Sequence, residues 1–332
     1  MNSSQKKNIL KFVLIGIGFS IILIFILYLN DFFTKKPTLK IGTALPDIRN
    51  FLQDPIVKAE FEKENIKLEI LHTMCDWNQT TNWLDVGEVT AILDCHLPYI
   101  RTCYKKDGKS HDPVIVAQPF YWAHLGLYNI KNDRIANQIN DYQDLENRHK
   151  KKQDITILLC NDVIQQNLML RFLEHLKLIQ RKEEYKDEKL ENKYTDLTND
   201  SFDIPNHIKI TVPPTANLYQ SSHFFQEHML EYDLLIQYPA IIKANINNEN
   251  IDKLQTITTF PKPDQDDSSI SYVISLIIKS NNENNEQINK LKRVLQQTKI
   301  IEHYKNNYGK NVELIKVDEM ESIKNKINSY VK

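Results

Sequence analysis

Strand signals alternating with helix signals along residues 38–330 constrain this chain more than any other feature. Such alternation builds βαβ units around a mostly parallel sheet, an α/β fold. Residues 38–42 (TLKIG), 66–71 (IKLEIL), 89–93 and 114–117 read as strands of a first unit. A helix is expected over 47–63, interrupted at Pro55, with Ile48, Phe51, Leu52, Ile56 and Val57 apolar. Another follows Asp76, a plausible N-cap, and carries Trp77, Trp83 and Leu84. Gly87 stands just past it, where a left-handed C-cap suits glycine. Asp94, Cys95 and His96 then gather three polar or polarizable side chains at a strand end. Ligands of open α/β sheets sit at the carboxyl ends of strands. The stretch 76–99 is therefore the first place to look for function.

A second unit starts with a short helix over 141–147 and a buried strand over 154–159 (DITILL). The rim 160–163 (CNDV) leads into an amphipathic helix over 165–179, with Leu168, Phe172, Leu176 and Ile179 on one side. Residues 180–203 read as a charged surface helix or loop. Strands are expected over 208–212 and 232–237, a helix over 222–230, and a polar loop over 245–267. A long strand, 271–279, leads into terminal helices over 286–297, 299–308 and 318–330. This order inserts the second unit within the first, joined at 119–129 (PFYWAHLGLYN), as a hinged pair.

The amino end adds a separate signal. Lys6, Lys7 and Lys11 precede an uncharged apolar run, 12–29, closed by Asn30, Asp31, Lys35 and Lys36. The run is at the lower end for crossing a bilayer as a helix, and Ile9 and Leu10 extend it. Lysines on its amino side keep that end cytoplasmic. One uncleaved transmembrane helix within 1–36 is expected, a single-pass anchor in the cell membrane with the rest of the chain outside the cytoplasm. A cleaved secretory signal is the alternative. The first cysteine is Cys75, which argues against a lipidated-cysteine anchor near the run.

Composition excludes several functions. With 41% hydrophobic and 26% charged residues, the 332-residue chain is too apolar for disorder and long enough for two domains. A net charge of -1 gives no electrostatic reason to expect nucleic acid. Cys75, Cys95, Cys103 and Cys160 show no zinc spacing, and outside the cell they are able to pair. No GxSxG, P-loop or dinucleotide fingerprint occurs, the histidines form no metal-like set, and the carboxylates are scattered. Neither an enzyme nor a cofactor is expected.

The order and local motifs after residue 38 resemble the NlpA-type methionine-binding lipoproteins, the extracytoplasmic solute receptors of methionine-uptake ABC transporters. In that family a tyrosine lies seventeen residues before a Phe-Gln-His-x-x-Tyr segment. Here Trp77 and the run Asp94, Cys95, His96, Leu97, Pro98, Tyr99 fit that frame without a gap. Leu125, Gly126, Leu127 and Tyr128 resemble its hinge motif. Asn161 and Asp162 fit its Pro-Asn-Asp turn, residues 232–237 its Ala-x-Ile-Asn strand, and 271–278 its Pro-Tyr-Val-Asn strand.

The resemblance implies a two-domain periplasmic-binding-protein fold, with 38–127 and 270–332 as one domain and 128–269 as the other. The partners it implies are an ABC permease with its ATPase and a small ligand, methionine or a related amino acid or short peptide. Carried over position by position, the ligand-binding residues are Trp77, Thr81, Asp94, His96, Tyr99 and Tyr121 on one side. On the other are Asn161, Gln165, Leu168 and Gln237, with Ser275 on the late strand.

Several of these positions depart from the family. Leu168 stands where its carboxylate-binding arginine does, and Asp94 where an aromatic does. Gln237 replaces an asparagine, and the last asparagine falls on Ile274 or Ser275. The exchange moves pocket charge toward negative and implies a ligand head more positive than that of methionine. A buried carboxylate needs compensation, so Asp94 is expected to have a cationic partner; its plainer reading is a rim carboxylate bonded to a backbone amide. Arg171, one turn from Leu168, is the alternative source of positive charge. Trp77 and Tyr121 are expected as apolar walls, Trp83 and Trp122 as ordinary core. Asn161 and Asp162 are alternatively just caps of the next helix. The second functional reading is a membrane-anchored surface interaction protein that keeps the fold without amino-acid binding.

Overall fold

The computed structural model describes residues 38–330 except 74–75, 109, 133–137, 187–196, 216–217, 219, 265–267 and 310–311. The apolar run 12–29 and Cys75 lie outside the described residues. No helix among the described residues is long and apolar enough to cross a membrane.

The strands in chain order are β1 (Thr38–Thr43), β2 (Lys67–His72), β3 (Ala91–Cys95), β4 (Val114–Ala123), β5 (Gly126–Ile130), β6 (Ile155–Leu158), β7 (Gln180–Arg181), β8 (Phe202–Asp203), β9 (Ile208–Thr211), β10 (Leu234–Gln237), β11 (Leu254–Thr259), β12 (Ile274–Lys279) and β13 (Val312–Leu314). They form a six-stranded sheet in the order β13-β4-β12-β3-β1-β2 and a five-stranded sheet in the order β11-β5-β10-β6-β9. A small ribbon pairs β7 with β8. Both main sheets are mixed, which corrects the expectation of a mostly parallel arrangement. In the first, β1 runs parallel to β2 and β3, while β12 is antiparallel to β3 and β4. In the second, β5 is antiparallel to both β10 and β11. The antiparallel strands are those nearest the passages between sheets, where no helical crossover sets their direction.

Two chain segments pass between the sheets side by side. β4 extends through residues 119–123, well past the four residues expected, and β5 begins three residues later in the other sheet. The return passes Phe260, whose amide donates to Leu125 O at 2.7 Å. Trp122 Nε1 donates to Phe260 O at 3.1 Å, so the two segments are tied together. Gly126 sits between β10 and β11, opposite Gln237 and Thr259. A Cβ there would meet the Tyr128 ring at 2.5 Å, which explains the glycine.

The helices differ from expectation in instructive ways. Residues 46–63 form two helices, α1 (Pro46–Gln53) and α2 (Pro55–Lys63). Asp54 ends the first and caps the second by accepting from Ile56 N, so Pro55 serves as a helix start. α3 (Trp77–Asp85) is capped by Asp76, and Gly87 takes φ 76° just beyond it, as expected. The helix α4 (Leu97–Asp107) was not expected; Pro98 in its first turn and Gly108 at φ 67° were its signals. After α5 (Tyr142–Lys150) comes α6 (Val163–His175), expected as amphipathic but buried nearly all round. It belongs to one apolar cluster with Ile157 and Leu234 of the second sheet and Leu97 and Ile100 of α4. A helix enclosed on both sides needs apolar residues all round. The polar stretch 245–267 proved to contain β11, whose Ile257 alone is deeply buried, and β13 was likewise missed. A second cluster around Phe51, Phe120 and Tyr304 covers the other face of the first sheet.

Candidate functional site

The carboxyl ends of β2, β1 and β3 lie side by side at one end of the first sheet. His72 pairs in register with Thr43, and Asp94 follows Leu93 one residue beyond. Asp94 and Cys95 belong to the strand and are buried, so this end is not the polar rim the sequence suggested. Asp94 is 1% exposed. Its Oδ2 accepts from Ala44 N at 3.0 Å, tying β3 to the residue after β1. Its Oδ1 is buried with no hydrogen-bond partner. No cation pairs with Asp94 among the described residues, contrary to expectation. Burial pushes its carboxyl up to about 6, against the pull of Thr80, Cys95 and the Ala44 amide. Burial and the Asp94 charge also push the Cys95 thiol up.

His96, next in sequence, reaches the second sheet's side. Burial lowers its imidazole to about 3, so the ring is neutral. Its Nδ1 accepts from Tyr99 N at 3.3 Å and caps α4. The ring proton therefore sits on Nε2, which faces the Gln165 side-chain amide at 3.3 Å. That bond requires the amide to turn its oxygen toward His96 and its NH2 toward Tyr238 Oη, 2.9 Å from it. Gln165 is in the first turn of α6, held by the Asp162 cap. The Tyr272 ring lies 4.7 Å from His96 and closes its other side. Tyr238 and Tyr272 were not anticipated; only their places beside Gln237 and before β12 marked them.

The remaining candidates separate into groups. Trp77 and Tyr99 meet edge to face at 5.9 Å, with Thr81 Oγ1 donating to Trp77 O at 2.7 Å. The Tyr99 hydroxyl donates to Asn78 Oδ1 at 3.1 Å. Tyr121 lies in the other cluster, stacked 5.9 Å from Tyr304, as core rather than a wall facing Trp77. Ser275 pairs with Cys95 across β12 and donates to Val273 O at 2.9 Å. Leu168 is buried in the apolar cluster around α6. Arg171 donates from Nε to Asn167 Oδ1 at 2.9 Å, and its position lies about 120° around the helix from Gln165.

Two second-sheet candidates are satisfied locally. Gln237 Nε2 donates to Leu218 O at 2.6 Å and Ser221 Oγ at 3.0 Å, and its Oε1 accepts from Tyr238 N at 2.8 Å. Asn161 is exposed and donates to Pro214 O, while its neighbour Asp162 does the capping. Trp122 is core, as expected. Cys95, Cys103 and Cys160 are free thiols.

The profile of the family described as NlpA lipoprotein matches residues 39–204, half of the chain. The chain belongs to the NlpA lipoprotein family. The match covers β1 through β8 and includes both the β3 end and α6. Solved structures of this fold include an ABC transporter periplasmic substrate-binding protein from Coxiella burnetii, 17% identical, with a TM-score of 0.60 over 83% of this chain and 100% of that one. A nutrient binding protein from Burkholderia cenocepacia bound to methionine is 18% identical, with a TM-score of 0.60 over 83% and 99%. A lipoprotein of the YaeC family from Enterococcus faecalis is 18% identical, with a TM-score of 0.59 over 83% and 98%. At these identities they establish the shared fold. No curated protein matches this NlpA-family chain.

Proposed function

We propose that this protein is an extracytoplasmic solute-binding receptor of an ABC importer, taking a small amino-acid-like molecule or short peptide between two domains and passing it to a permease. The observation that carries the reading is the bond between His96 and Gln165. It joins the carboxyl end of the first sheet to the first turn of a helix on the second sheet's side. Residues 38–127 with 270–332 and residues 128–269 would be the two domains, and the paired passages at 123–126 and near Phe260 the hinge. α4 and α6 share one apolar cluster, the contact that a receptor closed over its ligand would make, with nothing covalent happening. The apolar run 12–29 would tether the receptor to the cell membrane. Membership of a lipoprotein family supports an extracytoplasmic place.

Thermal unfolding of the full-length protein in detergent against amino acids and dipeptides tests this. A ligand that binds only the folded state stabilises it by roughly 2.7 kcal/mol at one hundred times its dissociation constant. No shift with any ligand, on well-folded protein, would sink the receptor reading. It would favour the second, an interaction protein that keeps the fold without amino-acid binding. That reading is supported by Gln165, Tyr238 and His96 satisfying one another directly.

A further inference from the structure

We infer that the contact between His96 and Gln165 is an acid-released latch: the two domains hold together across it while the His96 ring is neutral, and part when the ring takes up a proton. The inference rests on the two-domain receptor reading above and adds a regulation of that same site.

Both ring nitrogens of His96 are committed in a way that a neutral imidazole satisfies and an imidazolium does not. Nδ1 accepts from the Tyr99 amide at 3.3 Å as the cap of α4, and Nε2 faces the Gln165 side-chain amide at 3.3 Å. A proton added at Nδ1 sets two donors against each other, so the cap bond is lost. The new charge would also be enclosed, since His96 is 3% exposed. No group around it offers a compensating charge. From α4 comes Tyr99, whose hydroxyl donates to Asn78 Oδ1. From the turn before β12 comes the Tyr272 ring. From the second sheet's side come Gln165 and, bonded to it, Tyr238. Of the carboxylates close in sequence to these groups, Asp94 accepts from Ala44 N, and Asp162 caps α6 through Ile164 N and Gln165 N. Neither hydrogen-bonds to His96 among the described residues. A buried charge without a partner is costly, which is why burial holds this ring down at about 3.

The enclosure is built from both domains. Tyr99 and Tyr272 belong to the first, Gln165 and Tyr238 to the second. Parting the domains at the hinge therefore brings water to the ring without unfolding either sheet. In the open form the ring returns toward its ordinary 6.5. The closed form keeps its full advantage above that value and loses it as pH falls from 6.5 toward 3. Between pH 7.5 and pH 5.0 the ratio of open to closed protein should rise by up to roughly thirtyfold.

Amide hydrogen exchange of the full-length protein in detergent at these two pH values, corrected for the intrinsic pH dependence of exchange, tests the latch. At pH 5.0 both α4 and the first turn of α6 should exchange faster by at least roughly tenfold, while both main sheets stay protected. His96→Asn keeps a capping acceptor for the Tyr99 amide but takes up no proton, so its exchange in these segments should differ less than about twofold between the two pH values. Gln165→Glu leaves His96 in place and sets a carboxylate against the imidazolium, so it should blunt the acid response several-fold. No acid loosening in the parent would overturn the inference, as would an equal response in either variant. Loosening of α4 alone would mean a frayed cap within one domain, and equal loosening of the sheets would mean global acid unfolding; either overturns it. Ligand shifts in the amino-acid panel at pH 7.5 without acid loosening would leave the receptor reading standing and sink only the latch. Acid loosening as expected, with no ligand shift, would sink only the receptor reading and leave a hinged pair with an acid-released contact.

Discussion

The candidate residues of the two sheets satisfy their polar groups in opposite ways. On the second sheet, Gln237 uses both amide atoms on Leu218, Ser221 and Tyr238, and Asn161 bonds Pro214. On the first sheet, Asp94 and His72 each keep one buried acceptor open. Between them, His96 and Gln165 satisfy each other across the gap. Among these candidate residues, Gln237 and Asn161 are held locally, while Asp94 keeps one oxygen buried without a hydrogen-bond partner. Equivalent positions in the family pattern do not have equivalent roles here.

The largest effect should come from Leu168→Arg. It places an unpaired cation in the apolar cluster around α6 and should cost roughly 3–5 kcal/mol in chemical denaturation. A stable variant that gained methionine binding would show that Leu168 faces solute, and would break the contrast. Gln237→Leu comes next. It strands the Tyr238 amide, while Ser221 Oγ and Leu218 O keep each other, and should cost roughly 1–3 kcal/mol. Little loss there would mean that Gln237 is free for a ligand.

Asp94→Asn should act in the other direction. Its folded carboxyl sits at about 6, above the ordinary value of 3.8. Its favourable contribution is therefore full below the unfolded value and is lost as pH rises through about 6. Denaturation at pH 8 should show the variant more stable by up to ~3 kcal/mol, and at pH 4 about equal to the parent. His96 has the opposite sense: lowered from 6.5 to about 3, it loses stability as pH falls through that window. The smallest effect is expected for Gln165→Leu, about 1–2 kcal/mol. It should appear as faster amide exchange in α4 and the first turn of α6 while the sheets stay protected. Uniform loss of protection would make His96–Gln165 a core bond rather than a closure contact.

Much of the fold was legible. Asp76, Gly87 and the Asp162 cap mark helix ends through bonds within a few residues, and these appear as read. Strands with one strongly apolar stretch, such as β1, β6 and β12, were found near their places. α4, β11 and β13 were not, because their apolar residues meet partners far along the chain. α6 was read as amphipathic because its second buried face only exists once α4 lies against it.

The site was legible only as a location. His96 meets Gln165 and Trp77 meets Tyr99, relations that the motif order did not show. Sequence alone fixed the α/β alternation, the helix caps, and the stretch where three polar side chains meet a strand end. Those follow from interactions within a turn or a strand. The tertiary structure decided that Asp94 pairs with no cation among the described residues and that His96 meets Gln165 rather than standing open. Hydrogen bonds and charge pairs between residues 50 or more positions apart depend on how two sheets pack, and no local pattern encodes that.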